Sequence, residues 1–283
     1  MRSRITPIVA LGALALLTLL SSSAVAQAPL LTGYGGPAGF GGELTGLLTG
    51  QPRPGDDASE GPLDLSAAFP NGINYFGTTY TSAYVNINGN LTFNGPVEAF
   101  SPVAFPVADQ PMIAAWWADV DLRGIGIGAD NSVYFAVDAG NREVVITWNT
   151  VGYYNSKTNK LNSFQMILKD RSVDFEPGDF DVEFRYNRCE WTTGDATGGA
   201  NGLGGTPAQV GFDAGDTVNF YDLDISRTAR VLEVCTTSNV TIPGVWRFFV
   251  RGGQITLCGN FQVDAGEMCD DGNLNNVDGC NRY

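Results

Sequence analysis

Asp119 and Asp121 stand two residues apart at the end of an apolar run, M-I-A-A-W-W-A-D-V-D-L-R, and Arg123 follows two residues later. Side chains on an extended chain repeat every two residues, so a strand continuing this far puts both carboxylates on the face of Trp117 and Arg123. Trp116 and Trp117 then point to opposite faces. Two carboxylates held so close repel unless something offsets their charge. Arg123 can pair with one, a bound calcium ion can neutralise both, or water can solvate them. The plainest of the three is a strand end with solvated charges. A second oxygen-rich run lies near the C-terminus, where Asp271, Asn273 and Asn275 alternate with Asp278 close by. Such spacing occurs in calcium loops, but the sixth position is Asn276 and the twelfth is Arg282, which excludes an EF-hand. An irregular calcium loop or a turn-rich loop held by Asx hydrogen bonds remains.

The chain contains no histidine. Ser-His-Asp and Cys-His mechanisms are therefore excluded, and any catalysis rests on carboxylates, Lys or Tyr. A carboxylate glycosidase is permitted, but nothing places an acid and a nucleophile at the separation that chemistry needs. The net charge is −14, with 16 basic and 30 acidic residues. That argues against a nucleic-acid partner and is permissive for divalent cations. The stretch D-A-T-G-G-A-N-G-L-G-G from Asp195 has no following Lys-Ser/Thr, so it reads as a mobile Gly-rich loop rather than a phosphate cradle.

The elements that must position these groups read as follows. Residues 1–26 form a secretory signal: Arg2 and Arg4, an apolar core from Ile8 to Leu20, and Ala24-Val25-Ala26 before the cut. No later run approaches the roughly 20 apolar residues a spanning helix needs, so no transmembrane span is expected in the mature chain. Residues 27–62 are Gly/Pro-rich and read as a linker or an arm that docks only partly, with one helical turn within Glu43 to Leu48. From about Leu63 the pattern is β. Asn88-Gly89 signals a two-residue type I′ hairpin, and Asp138 to Asn141 a second hairpin. Val182, Phe184 and Tyr186 alternate with polar neighbours, and Asp179, Asp181 and Glu183 read as a solvent face. Arg230–Val234 reads as a strand, and Leu223–Thr228 as the least regular segment. The expected fold is all-β: an antiparallel β-sandwich over 63–253 with a small cysteine-rich C-terminal appendage over 258–283.

Five cysteines in a secreted chain point to disulfides. Cys189 and Cys235 are expected to pair within the sandwich, and one further bridge is expected among Cys258, Cys269 and Cys280. Asn90-Leu91-Thr92 and Asn239-Val240-Thr241 match the glycosylation tripeptide and carry little weight.

Two resemblances bear on function. Tyr75-Phe76-Gly77, the hairpin Tyr84 to Phe93, a Pro-rich crossing and P-M-I-A-A-W-W-A-D-V-D stand in the order found in nidogen-like domains. The resemblance covers about residues 64–253. It implies an extracellular adhesive module, not an enzyme, whose partners are matrix or cell-envelope proteins or polysaccharides. Secretion, with cell-surface attachment as a variant, follows from the signal and the resemblance together. Candidate contact segments are Tyr153-Tyr154-Asn155-Ser156-Lys157 and the Gly-rich loop near Asn201. The alternative is a calcium-dependent carbohydrate-binding module. The tail, from Cys258 through Glu267, Cys269-Asp270-Asp271-Gly272-Asn273 and Asp278-Gly279-Cys280, resembles the cysteine-rich repeat of secreted myxobacterial proteins. It departs from that pattern at Phe261, and the chain stops at Tyr283 where a last cysteine is expected.

Overall fold

The structure, a computed structural model, describes residues 28–49 and 55–256. The signal segment 1–26 and the tail, with Cys258, Cys269, Cys280, Asp271, Asn273, Asn275 and Asp278, lie outside the described residues.

Two antiparallel sheets face each other across one core. The larger runs in the order Gly42–Glu43, Ser132–Asp138, Glu143–Tyr153, Lys157–Asp170, Phe180–Cys189, Val245–Arg251 and Gln254–Thr256. The short strand Val120–Asp121 joins it beside Gly152 and Tyr153. The smaller sheet runs Phe220–Asp222, Gln209–Asp213, Met112–Trp117, Asn90–Thr92, Ser82–Asn86 and Ser59–Asp64. Among the described residues no helix is long and apolar enough to cross a membrane.

The period of two behaves as expected. Val182, Phe184 and Tyr186 are fully buried between half-exposed neighbours. Trp116 enters the main core, while Trp117 joins a separate cluster with Phe105, Met112 and Ala114 on the other face of its sheet. Three polar tips tie elements across the interior. Trp148 Nε1 donates to Ile87 O at 2.9 Å, Tyr186 Oη to Ala115 O at 2.7 Å, and Tyr75 Oη to Met112 O at 2.7 Å. Each places an aromatic body in the core and satisfies its polar end there, which a buried Trp or Tyr requires. The expected Cys189–Cys235 disulfide is present, with Cα atoms 6.1 Å apart.

Several local expectations are corrected. The Asn88-Gly89 hairpin pairs Asn86 with Asn90, so its turn has three residues, Ile87 to Gly89. Gly89 takes φ +80°, and a side chain there would collide with the Trp116 carbonyl, which explains the glycine. Residues Ala229–Cys235 form a 3-10 helix, not a strand. Thr228 caps it by accepting from Arg230 N, and Arg230 pairs with Glu233 one turn on. The acidic row is not a plain solvent face. Asp179 is buried and accepts from Gly252 N, Asp181 pairs with Arg171 and Arg251, and Glu183 with Arg185 and Arg247. Asn90 is wholly buried, which closes that tripeptide to a glycan. The described part of the Gly/Pro-rich arm docks: Leu31 exchanges hydrogen bonds with the Gln165 side chain, Gly42–Glu43 pairs with Phe135 and Tyr134, and Leu47 is fully buried.

Candidate functional site

The strand carrying Trp116 and Trp117 stops at Trp117, before the carboxylates. The chain bends at Ala118-Asp119 and crosses to the other sheet, where Val120 and Asp121 pair with Tyr153 and Gly152. Asp119 and Asp121 therefore sit on either side of a crossover instead of along one strand face, and their surroundings differ. Neither is solvated: Asp119 is 2% exposed and Asp121 is fully buried. This corrects the expected solvated strand end.

Asp121 is held by Arg123. The guanidinium donates through Nε at 2.8 Å and Nη2 at 2.5 Å, and the backbone N–H groups of Arg123 and Ser156 donate at 2.9 and 2.8 Å. Four donors on one carboxylate make a charge-assisted fork that fixes the crossover to the turn at Ser156. Asp121→Ala is expected to cost about 2–3 kcal/mol, because it strands buried N–H groups. The figure is set low because Arg123 is partly exposed and keeps a second partner, Asp56 Oδ2 at 3.0 Å. Urea unfolding measures it, and a loss below about 0.5 kcal/mol means the fork is idle.

Asp119 has different company. Its carboxylate meets those of Asp56 and Asp57, with one oxygen from each within 4.8 Å of the others and all three residues buried. Asp56 and Asp57 come from the arm. Their turn is anchored by Leu122 N donating to Gly55 O at 2.7 Å and by Asn88 Nδ2 donating to Asp57 Oδ1 at 3.1 Å. Asn88 Oδ1 in turn accepts from Val120 N at 3.0 Å, so one asparagine links the arm, the hairpin and the crossover. Burial first, then the charges of Asp57, Asp56 and Asp121, push the Asp119 carboxyl up to about 8. Asp119 Oδ2 is buried with no hydrogen-bond donor. Gly194 closes over it, and a side chain at that position would collide with the carboxylate.

Above this centre lies a polar cleft of about 500 Å³, lined by Tyr153, Ser156, Lys157, Thr158, Asn159, Asp195 and Asn201. The two segments singled out from the sequence meet here. Asn159 Nδ2 donates to Asn201 Oδ1 and Lys160 Nζ to Asn201 O, each at 2.6 Å. Tyr154 N donates to Asp119 O at 3.1 Å, which seats the cleft wall on the acidic centre. Beside the cleft, the loop after Arg123 exposes Ile125 and Ile127 completely. It lies against Thr158, whose Oγ1 donates to Ile125 O at 3.3 Å. Sequence reasoning found Asp119, Tyr153 and Asn201. It missed Asp56 and Asp57 inside the arm, and it missed the two isoleucines, which the alternating G-I-G-I-G could have flagged as a stretch with no core to face.

Comparison with known proteins agrees with this architecture. Human alpha-tectorin is 36% identical over 223 residues, covering 71% of this chain and 10% of that protein. Drosophila melanogaster nidogen is 32% identical over 201 residues, covering 63% of this chain and 14% of that protein. Dendrite extension defective protein 1 of Caenorhabditis elegans is 24% identical over 222 residues, covering 70% and 17%. The chain thus spans between a tenth and a fifth of the length of these relatives. No solved structure matches it. A family model described as the nidogen-like domain matches residues 81–252, most of both sheets, and the chain belongs to that family.

Proposed function

We propose that this chain is a secreted, non-catalytic binding module of extracellular-matrix type, recognising a matrix or cell-envelope protein through the loop end of the sandwich. The carrying observation is the pairing of two fully exposed isoleucines with an open polar cleft at one end of the fold. An apolar anchor beside adaptable polar groups is the chemistry of protein recognition. The disulfide and the family support an extracellular setting, as does the expectation of a secretory signal over residues 1–26. The non-catalytic reading is supported by the similarity to alpha-tectorin and nidogen, and the burial of Asp56, Asp57 and Asp119 at 1%, 3% and 2% exposure keeps that trio from a polymeric substrate. Residues 258–283 are proposed to form a cysteine-rich appendage. The relatives named above are animal proteins and lend no support to a bacterial source.

The test is binding of the labelled chain to arrays of matrix proteins and of glycans. Ile125→Asp with Ile127→Asp is expected to abolish protein binding while leaving the melting temperature unchanged, because both side chains contribute only exposed surface. Selective glycan binding untouched by that double variant favours a carbohydrate-binding module. Release of reducing sugar from any polysaccharide refutes the non-catalytic reading.

A further inference from the structure

We propose that Asp56, Asp57 and Asp119 bind one calcium ion, which fastens the N-terminal arm to the crossover between the two sheets. The proposal is independent of what the loop end recognises. It rests on two observations at one place. The first is the convergence of three buried carboxylates from two distant segments within 4.8 Å. Two oxygens each about 2.4 Å from one calcium ion lie no more than about 4.8 Å apart, so the three fall within reach of a common centre. The second is Asp119 Oδ2, buried against Gly194 with no donor to satisfy it, on a carboxylate that belongs to the cluster. A buried carboxylate oxygen with no donor is costly to leave unmet, and a bound cation meets it. Arg123 pairs with both Asp121 and Asp56, at 2.5 and 3.0 Å, and so ties the cluster to the crossover.

The donor set selects the ion. It is all oxygen, with no histidine in the chain, and both described cysteines are bridged. That excludes the usual zinc sets and fits a hard cation. Three carboxylates from two segments, the arm and the crossover, favour calcium, which tolerates irregular coordination, over magnesium, which demands near-octahedral order and sheds water reluctantly. The backbone bond from Leu122 N to Gly55 O joins the crossover to the arm here, and that from Ile87 N to Ala58 O joins the hairpin to it. An ion bound to both segments adds a link that the unfolded chain lacks, and so stabilises the fold by mass action.

The experiment compares melting of the full chain at pH 7.5 in chelator, in 10 mM calcium chloride and in 10 mM magnesium chloride. The parent is expected to rise by roughly 5 °C with calcium and by less with magnesium. Asp119→Asn should show no rise, yet melt no lower than the parent in chelator, because the amide removes the repulsion and can donate to a neighbouring carboxylate. Asp271→Asn, in the tail, should rise like the parent. Gly194→Ala leaves every ligand in place but crowds Asp119 Oδ2, and should weaken calcium affinity at least about tenfold in equilibrium dialysis. The proposal is overturned by a parent that melts alike in chelator and calcium, by an Asp119→Asn chain that responds as the parent does, or by loss of the response in Asp271→Asn. If Asp119→Asn fails to fold, Gly194→Ala decides: affinity equal to the parent's overturns the site.

Discussion

Trp148→Ala is expected to lower stability by about 4 kcal/mol, among the largest single-residue losses this fold can show. Trp148 is wholly buried on the central strand Glu143–Tyr153 of the larger sheet. Its ring stacks on Phe164 at 5.0 Å between centroids with 15° between planes, and Phe164 continues the aromatic layer through Trp116 and Tyr186. Truncation removes a whole indole ring from that layer and leaves a cavity that two opposed sheets cannot close without giving up their own hydrogen bonds. The indole also donates to Ile87 O, in the turn of the opposite sheet whose neighbour Asn88 holds Asp57 and Val120. Trp148→Phe separates the two contributions. It keeps an aromatic body, loses the hydrogen bond and leaves a buried carbonyl, and should cost about 1–3 kcal/mol. Urea unfolding at fixed calcium measures both. A loss under about 1 kcal/mol for Trp148→Ala would mean that the layer repacks and that the sheets are not pinned through this ring.

What the sequence disclosed of this fold follows from how local each cause is. Strand positions were legible because burial on one face writes a period of two directly into the chain, as at Val182, Phe184 and Tyr186. The opposed faces of Trp116 and Trp117 were legible for the same reason. The Asn88-Gly89 turn was legible as a turn but not in length, because the third residue depends on Gly89 approaching Trp116 of a neighbouring strand. Arg230–Val234 looked like a strand from its apolar content, yet a Thr cap and an Arg230–Glu233 pair wind it into a 3-10 helix. At the candidate site, Asp119 was legible and its partners were not. Asp56 and Asp57 stand in a stretch whose composition speaks for a solvated chain. Tertiary anchors, at Leu122, Asn88 and Arg123 among others, carry them inside. Composition reports what a segment can bury by itself, and these residues are buried by what others bring to them.

Removing the Cys189–Cys235 bridge is expected to cost about 4 kcal/mol, and the loss should be felt at the cleft. The two cysteines are separated by 46 residues, and loop closure of that size removes substantial entropy from the unfolded chain. The enclosed segment is unusual in what it contains. It leaves the larger sheet at Cys189, supplies Asp195 and Asn201 to the cleft, forms the edge of the smaller sheet with Gln209–Asp213 and Phe220–Asp222, and returns through the 3-10 helix to Cys235. Its first part has little apolar surface of its own. Gly194, Gly198, Gly199, Gly202, Gly204 and Gly205 fall within twelve residues. The backbone bonds from Thr192 N and Thr193 N to Gly202 O and from Asp195 N to Tyr154 O are then the local restraints on a chain of high intrinsic freedom. Cys189→Ala with Cys235→Ala should therefore lower the urea midpoint, with a slope no shallower than the parent's, since the unbridged unfolded chain exposes more surface. It should also expose the 195–205 loop to proteolysis before the strands on either side, since local opening there needs less free energy than global unfolding. Stability within about 1 kcal/mol of the parent, together with an equally resistant loop, would show that packing of Trp191 and the 3-10 helix holds this segment by itself and that the bridge adds nothing to the cleft.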